Sequence, residues 1–284
     1  MLGKLMKYEF LATGRILLPI YAALLVMSAA GGLLLSGGDT SVLGQGLSAF
    51  FVILILAVLH TAVWITTLVM VLRRFWGNLL GREGYLMHVL PVAAWEHVLC
   101  KLLCAMVWTV LSSLVTMLSV CILLGLGSAL RAVEWSEMLR TWNLFRDEIR
   151  RQGSAGALTL LCVETVILVL LGIAGPILRA YTAMCVGQLA NRHRVWAAIG
   201  AYLGIGIVQS AVVRQLAGGR ILRFFGGSDY AVWSYRGEIQ TTGLPAYLGE
   251  INRQMLIVLL VTLAFSAAMF FASQWLLRRR LNLQ

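Results

Sequence analysis

Acidic residues are scarce in this chain: 12 Asp and Glu stand against 23 Lys and Arg, and the four types together make up only 12% of its 284 residues. So little charge excludes a protein solvated over its whole surface, because soluble domains carry about 25% charged residues. Proline is nearly as rare, at four residues, and no Ser/Pro-rich linker or low-complexity tract divides the sequence, which reads as one domain over 1–284. No stretch fits G-x-x-x-x-G-K-[ST], so the chain has no phosphate-binding loop with which to hydrolyse ATP. No G-x-S-x-G elbow is present, and the four histidines form no H-E-x-x-H; the single His-x-x-Cys, His97 to Cys100, lacks companion ligands. Neither an enzyme nor a metal site is therefore expected. Cys100, Cys104, Cys121, Cys162 and Cys185 all lie in or beside apolar segments and the large polar loops contain none, which excludes a disulfide framework.

What the chain has in abundance is apolar sequence, 60% of all residues. A transmembrane helix needs about 20 mostly apolar residues, and six segments qualify: 16–35, 47–72, 102–126, 158–189, 195–217 and 255–277. The predicted fold is an all-α integral membrane protein with six transmembrane helices. The first run, with Lys4, Lys7 and Arg15 ahead of it and "MSAAGG" within it, starts like a secretory leader, but it continues through Leu33, Leu34 and Leu35 and is expected to remain as a span. Ahead of it, "LGKLMKYEFLATGR" sets Leu2, Leu5, Met6 and Phe10 at helical spacing, predicting a short N-terminal interfacial helix.

Basic residues orient the spans. Segments 1–15, 73–101, 190–194 and 278–284 hold 12 of the 23 Lys and Arg in little sequence, which predicts both termini inside. The net charge of +11 then faces anionic lipid at the cytoplasmic surface, and no nucleic-acid partner is needed to explain it. On the predicted outer side, "EWSEMLRTWNLFRDEIRR" aligns Trp135, Met138, Leu139, Trp142, Phe145 and Ile149 against a charged face, an extracellular amphipathic helix suited to the outer leaflet. It either covers the ends of the spans or acts as a lid for an amphipathic substrate. The fourth span, about 48 Å long at 1.5 Å per residue, is expected to bend at a hinge of Gly175 and Pro176, because proline removes a helix hydrogen bond.

Charge inside a span is costly and marks a functional candidate. Glu164 and Arg214, near the outer ends of the fourth and fifth spans, could form an ion pair or take part in gating; Arg179 lies deep with no partner evident in sequence. His60, Trp64 and Thr67 share one face of the second span, and Thr109, Ser112, Thr116 and Ser119 one face of the third. Such stripes either hydrogen-bond between helices or form a mildly polar translocation face.

Between the second and third spans lies "GREGYLMHVLPV", preceded by Arg73 and Arg74 and followed by Lys101. Glycines 77, 81 and 84 allow turns, Tyr85, Leu86 and Leu90 have no lipid to enter, and Pro91 fits the first turn of a helix. This stretch resembles the "EGYLM-x-x-LPV" segment of bacterial ABC-2-type transporter permeases. "KYEFLATGR" at 7–15, "GQLANRHRVWAAIGAY" at 187–202 and "RRLNLQ" at 279–284 are similar to the N-terminal, fourth-turn and C-terminal parts of the same family. Val89 and Ala93 depart from the hydroxyl residues common there, and Cys100 precedes Lys101 where serine is frequent.

The resemblance implies a cytoplasmic coupling helix around Glu83, Gly84, Tyr85, Leu86, Leu90 and Pro91 that docks on a separate ATPase. It further implies two copies of that ATPase, which would carry ATP and Mg, a second permease of the same or a homologous chain, and export of antimicrobial peptides, lipids or other amphipathic compounds across a bacterial plasma membrane. No cofactor is expected in this chain. Two rival expectations stay open: a non-transporting scaffold or sensor that anchors an ATPase or signalling partner, and an ion-coupled secondary transporter, which would be expected to show internal repeats.

Overall fold

The computed structural model describes residues 2–36, 42–77, 94–126, 135–151, 153, 155–190, 193–216 and 244–279. Among them there is no strand; seven helices account for nearly all. They are α1 (Leu2–Ser36), α2 (Val42–Phe75), α3 (Ala94–Leu126), α4 (Trp135–Arg151), α5 (Ala155–Gly187), α6 (Arg194–Leu216) and α7 (Leu244–Arg279). All but α4 are long and apolar enough to cross a membrane. Large apolar side chains such as Phe50, Phe51, Ile53 and Val58 of α2 stand exposed along these helices. Water would penalise such a surface and lipid favours it, so the chain is a multi-pass membrane protein.

The helices gather into two compact units, one within Met1–Trp135 and the other within Ser136–Leu281. In the first, α1 buries Glu9, Thr13, Leu17, Tyr21, Leu24 and Ser28. These residues recur three or four apart and so form one stripe along the helix. The stripe packs on α2 and α3, where Val52, Leu56, Val63 and Trp108 complete the core. Trp108 is the centre, with the rings of Phe10 and Tyr21 at 5.8 and 6.4 Å. At the far end, the α1 backbone comes so near α3 that a Cβ on Gly32 would sit 2.8 Å from Cβ of Leu126 and 3.1 Å from the Leu123 carbonyl oxygen. Glycine is what allows that approach, and small residues at helix crossings are the usual means of close packing in lipid.

The N-terminal segment differs from expectation. Residues 2–15 do not form a separate interfacial helix but the first turns of α1, which runs unbroken to Ser36 with Pro19 inside it. The reason is in the packing: Glu9 and Thr13 are buried and Phe10 stacks on Trp108, so the segment is held against α3 in line with the span.

In the second unit α5 packs on α6 and α7. The half of α5 after Ala174 carries nearly all its buried residues, including Ile177, Leu178, Tyr181, Met184 and Cys185. Two cross-links fix α7 to it: Asn252 Nδ2 donates to the Ala157 carbonyl at 3.0 Å, and Thr182 Oγ1 to the Met269 carbonyl at 3.0 Å. Helix α6 follows α5 after a short turn and buries no residue fully. Helix α4 has Met138, Leu139, Trp142 and Phe145 exposed, with Trp142 and Phe145 ring centroids 6.1 Å apart.

Candidate functional site: the intramembrane polar groups

The residues of the two polar stripes differ in what they meet. His60, Thr67 and Ser112 turn into the packing of the first unit. Ser112 Oγ lies 2.6 Å from Tyr21 Oη, 2.8 Å from Thr67 Oγ1 and 2.9 Å from the Trp108 carbonyl oxygen. A hydroxyl has one proton and two lone pairs. Ser112 can donate to Trp108 and accept from Tyr21, while Thr67 Oγ1, itself 2.8 Å from the Val63 carbonyl, completes a contact at which the three helices meet. His60 also ties two helices: its Nδ1 donates to the Leu56 carbonyl at 2.6 Å, and its Nε2 lies 2.7 Å from Ser119 Oγ, a hydroxyl that is also 2.8 Å from the Thr116 carbonyl. Trp64, by contrast, is 44% exposed, and Thr109 and Thr116 donate to their own helix at the carbonyls of Ala105 and Ser113. Thr67, Ser112 and His60 thus bond between helices, while Thr109 and Thr116 bond within their own.

A second cluster was not foreseen from sequence. Glu9, only 7% exposed, accepts from Arg74 Nη1 at 3.0 Å and from Lys101 Nζ, whose residue is 5% exposed. One buried carboxylate thus joins the end of α2 to the start of α3 through α1. Arg74 and Lys101 are also the basic residues that flank 78–93, so Glu9 grips both roots of that segment. The available signal was that Glu9 is the only acid before Asp39, in a basic segment of helical periodicity. Glu83, Gly84, Tyr85, Leu86, Leu90 and Pro91, the expected coupling residues, lie outside the described residues.

The charges of the second unit are arranged otherwise. Glu164 and Arg214 do not pair: Glu164 is 5% exposed and its Oε2 has no hydrogen-bond partner among the described residues, while Arg214 is exposed. Arg179 does have partners, contrary to its solitary look in sequence. Its Nη2 donates to Gln209 Oε1 at 2.9 Å, and its guanidinium carbon stands 5.3 Å from the Tyr202 ring centroid. Between those two contacts it lies across Gly206, where a Cβ would come within 2.7 Å of Nη1. Tyr202, Gly206 and Gln209 follow one another at four and three residues, a single face of α6, which is the pattern that sequence reading overlooked.

At the expected hinge, α5 continues unbroken through Pro176. Pro176 is exposed and withholds a donor from the Gly172 carbonyl, whereas Gly175 is buried with Ser266 Oγ 3.7 Å from where its Cβ would be. The five cysteines are free, and among the described residues no three His, Cys, Asp or Glu come together as metal ligands would. No known protein family, curated protein or solved structure matches the chain.

Proposed function

We propose that the chain is the permease subunit of a bacterial ABC-2-type exporter, moving an amphipathic substrate across the plasma membrane with energy from a separate ATPase. The reading begins from the four sequence stretches that resemble that family, and one structural observation carries it furthest: Glu9 clamps Arg74 and Lys101, and with them both roots of segment 78–93. A segment that receives a push from a partner can move spans only if its roots are fixed to them. The ion cluster supplies that fixing to three helices at once.

In this reading both termini are cytoplasmic, Glu83 to Pro91 form the coupling element, and α4 lies on the outer leaflet with Trp142 and Phe145 in the interface. Two ATPase subunits and a second permease, of the same or a homologous chain, complete the assembly. Binding of ATP closes the ATPases, pushes the coupling element and tilts α1–α3 as one body; Pro176 gives α5 a point of compliance.

Affinity purification of the full chain from its native membrane in mild detergent, with protein identification and ATP hydrolysis, tests the proposal. An ATPase bearing a phosphate-binding loop is expected to accompany the wild type and to be lost from Leu86→Asp. A wild-type chain that carries no ATPase, or a Leu86→Asp chain that retains it at full occupancy, would sink the coupling reading.

A further inference from the structure

Arg179 belongs to α5, and its Cα lies eight residues from Gly187, about 12 Å from the end of the helix at 1.5 Å per residue. An arginine placed so near a membrane boundary normally extends toward it, where its charge regains water. Arg179 does the reverse. Its contacts run along α6 from Tyr202 past Gly206 to Gln209, away from the turn that joins the two helices. Gly206 is about 18 Å from Arg194 and about 15 Å from Leu216 along the axis of α6, so the guanidinium sits at the middle of that span.

Every group that holds it there is neutral. The amide oxygen of Gln209 accepts one N–H, the face of Tyr202 supplies a cation–π contact, and Gly206 supplies only room. No carboxylate pairs with Arg179 among the described residues, and its Nε is buried without a hydrogen bond. Glu164, the acid on the same helix, is fifteen residues away, about 22 Å along the axis. A guanidinium has five donors in a planar fork that fits a phosphate or a carboxylate. A cation at mid-membrane, oriented by neutral ligands and with its fork incompletely filled, lacks only its counter-charge.

We propose that Arg179, with Tyr202, Gly206 and Gln209, forms a mid-membrane site for the anionic head group, phosphate or carboxylate, of an amphipathic molecule with an aliphatic tail. The guanidinium receives the head group, Gln209 and Tyr202 hold the fork at that depth, and the apolar surroundings accept the tail. The head group belongs either to a bilayer phospholipid or to an incoming amphiphile. The inference rests on the export reading only in regarding the ligand as cargo; binding itself requires no ATPase.

Native mass spectrometry of the full chain in nanodiscs tests it, with oleyl phosphate as the probe and oleyl alcohol as its uncharged counterpart. In phosphatidylcholine the wild type is expected to hold oleyl phosphate at least about tenfold more tightly than Arg179→Gln does, the equivalent of one charge-assisted hydrogen bond, and oleyl alcohol equally weakly in both. Replacing a quarter of the phosphatidylcholine with phosphatidylglycerol separates the sources, since competition with the probe identifies a bilayer lipid as the occupant and its absence an incoming amphiphile. Gln209→Glu, which sets a carboxylate beside the guanidinium, is expected to abolish probe binding while raising the melting temperature, and it decides the matter should Arg179→Gln fail to fold. Arg179→Lys retains part of the binding, while Arg214→Gln, at an exposed arginine, leaves it unchanged. Equal binding by wild type and Gln209→Glu, or equal binding of phosphate and alcohol by wild type, would overturn the site and leave Arg179 as a tie between α5 and α6. Neither result touches the coupling reading, which stands or falls on ATPase retention.

Discussion

The two helical units differ in how far their buried polar groups are answered. In α1–α3, Glu9 answers Arg74 and Lys101, His60 answers Ser119, and Tyr21, Thr67 and Ser112 answer one another. In α5–α7, among the described residues, Glu164 Oε2, Arg179 Nε, Asn252 Oδ1, Ser266 Oγ and Gln274 Nε2 are buried without a hydrogen bond, as Trp108 Nε1 is in α1–α3. An unanswered polar group in hydrocarbon costs several kcal/mol unless water or another molecule reaches it. The first unit thus meets most of its buried polarity with its own side chains, and the second leaves more of it for water or another molecule to complete.

The contrast is sharpest in a single substitution made twice. Glu9→Gln leaves Lys101 and Arg74 without their counter-charge and is expected to cost about 3–5 kcal/mol, the usual penalty for breaking a buried pair, read as a fall in the melting temperature of the purified chain. Glu164→Gln replaces a buried carboxyl that has no ion pair among the described residues with an amide of the same shape, so its effect is expected to lie within about 1 kcal/mol of zero. If both variants lose stability alike, the distinction between the units fails. Next in size, Gly32→Ala drives a methyl against Leu126 and the Leu123 carbonyl, and overpacking of this kind costs about 1–3 kcal/mol; an unchanged melting temperature would mean that α1 and α3 do not meet there. Smallest, Thr67→Val removes one hydroxyl from the contact with Ser112 and is expected to cost about 0.6 to 2 kcal/mol. The same change at Thr165, an exposed residue bonded to its own helix, should cost less.

Much of this was legible in the sequence and some was not, for reasons that differ by residue. Six spans followed from apolar length alone, and the structure extends the third back to Trp95, with His97 and Lys101 inside the helix. That extension escaped composition because a lysine paired with a carboxylate no longer counts against burial, and its partner is 92 residues away. The polar stripes of α2 and α3 were visible by periodicity, yet which residues face protein depends on where α1 lies. So Ser112 meets Tyr21 while Trp64, on the same predicted face as Thr67, points outward. Arg179 was recognisable as an intramembrane charge, but its ligands sit on the next helix 23 to 30 residues on. The pairing of Glu164 with Arg214 failed because nearness to the same membrane surface does not set the rotation of two helices about their axes.

The Glu9 cluster also bears on how freely segment 78–93 can vary. Joining two fixed points costs chain entropy that grows slowly with the length between them, about 0.6 kcal/mol for each doubling, and here Glu9 holds Arg74 and Lys101 on either side of 78–93. A replacement that keeps Arg74 and Lys101 meets the same two fixed points whatever lies between them. Should 78–93 meet a partner as proposed, a foreign stretch grafted at those positions alone would change the partner and spare Phe75, Val98 and Cys100, which are buried on either side.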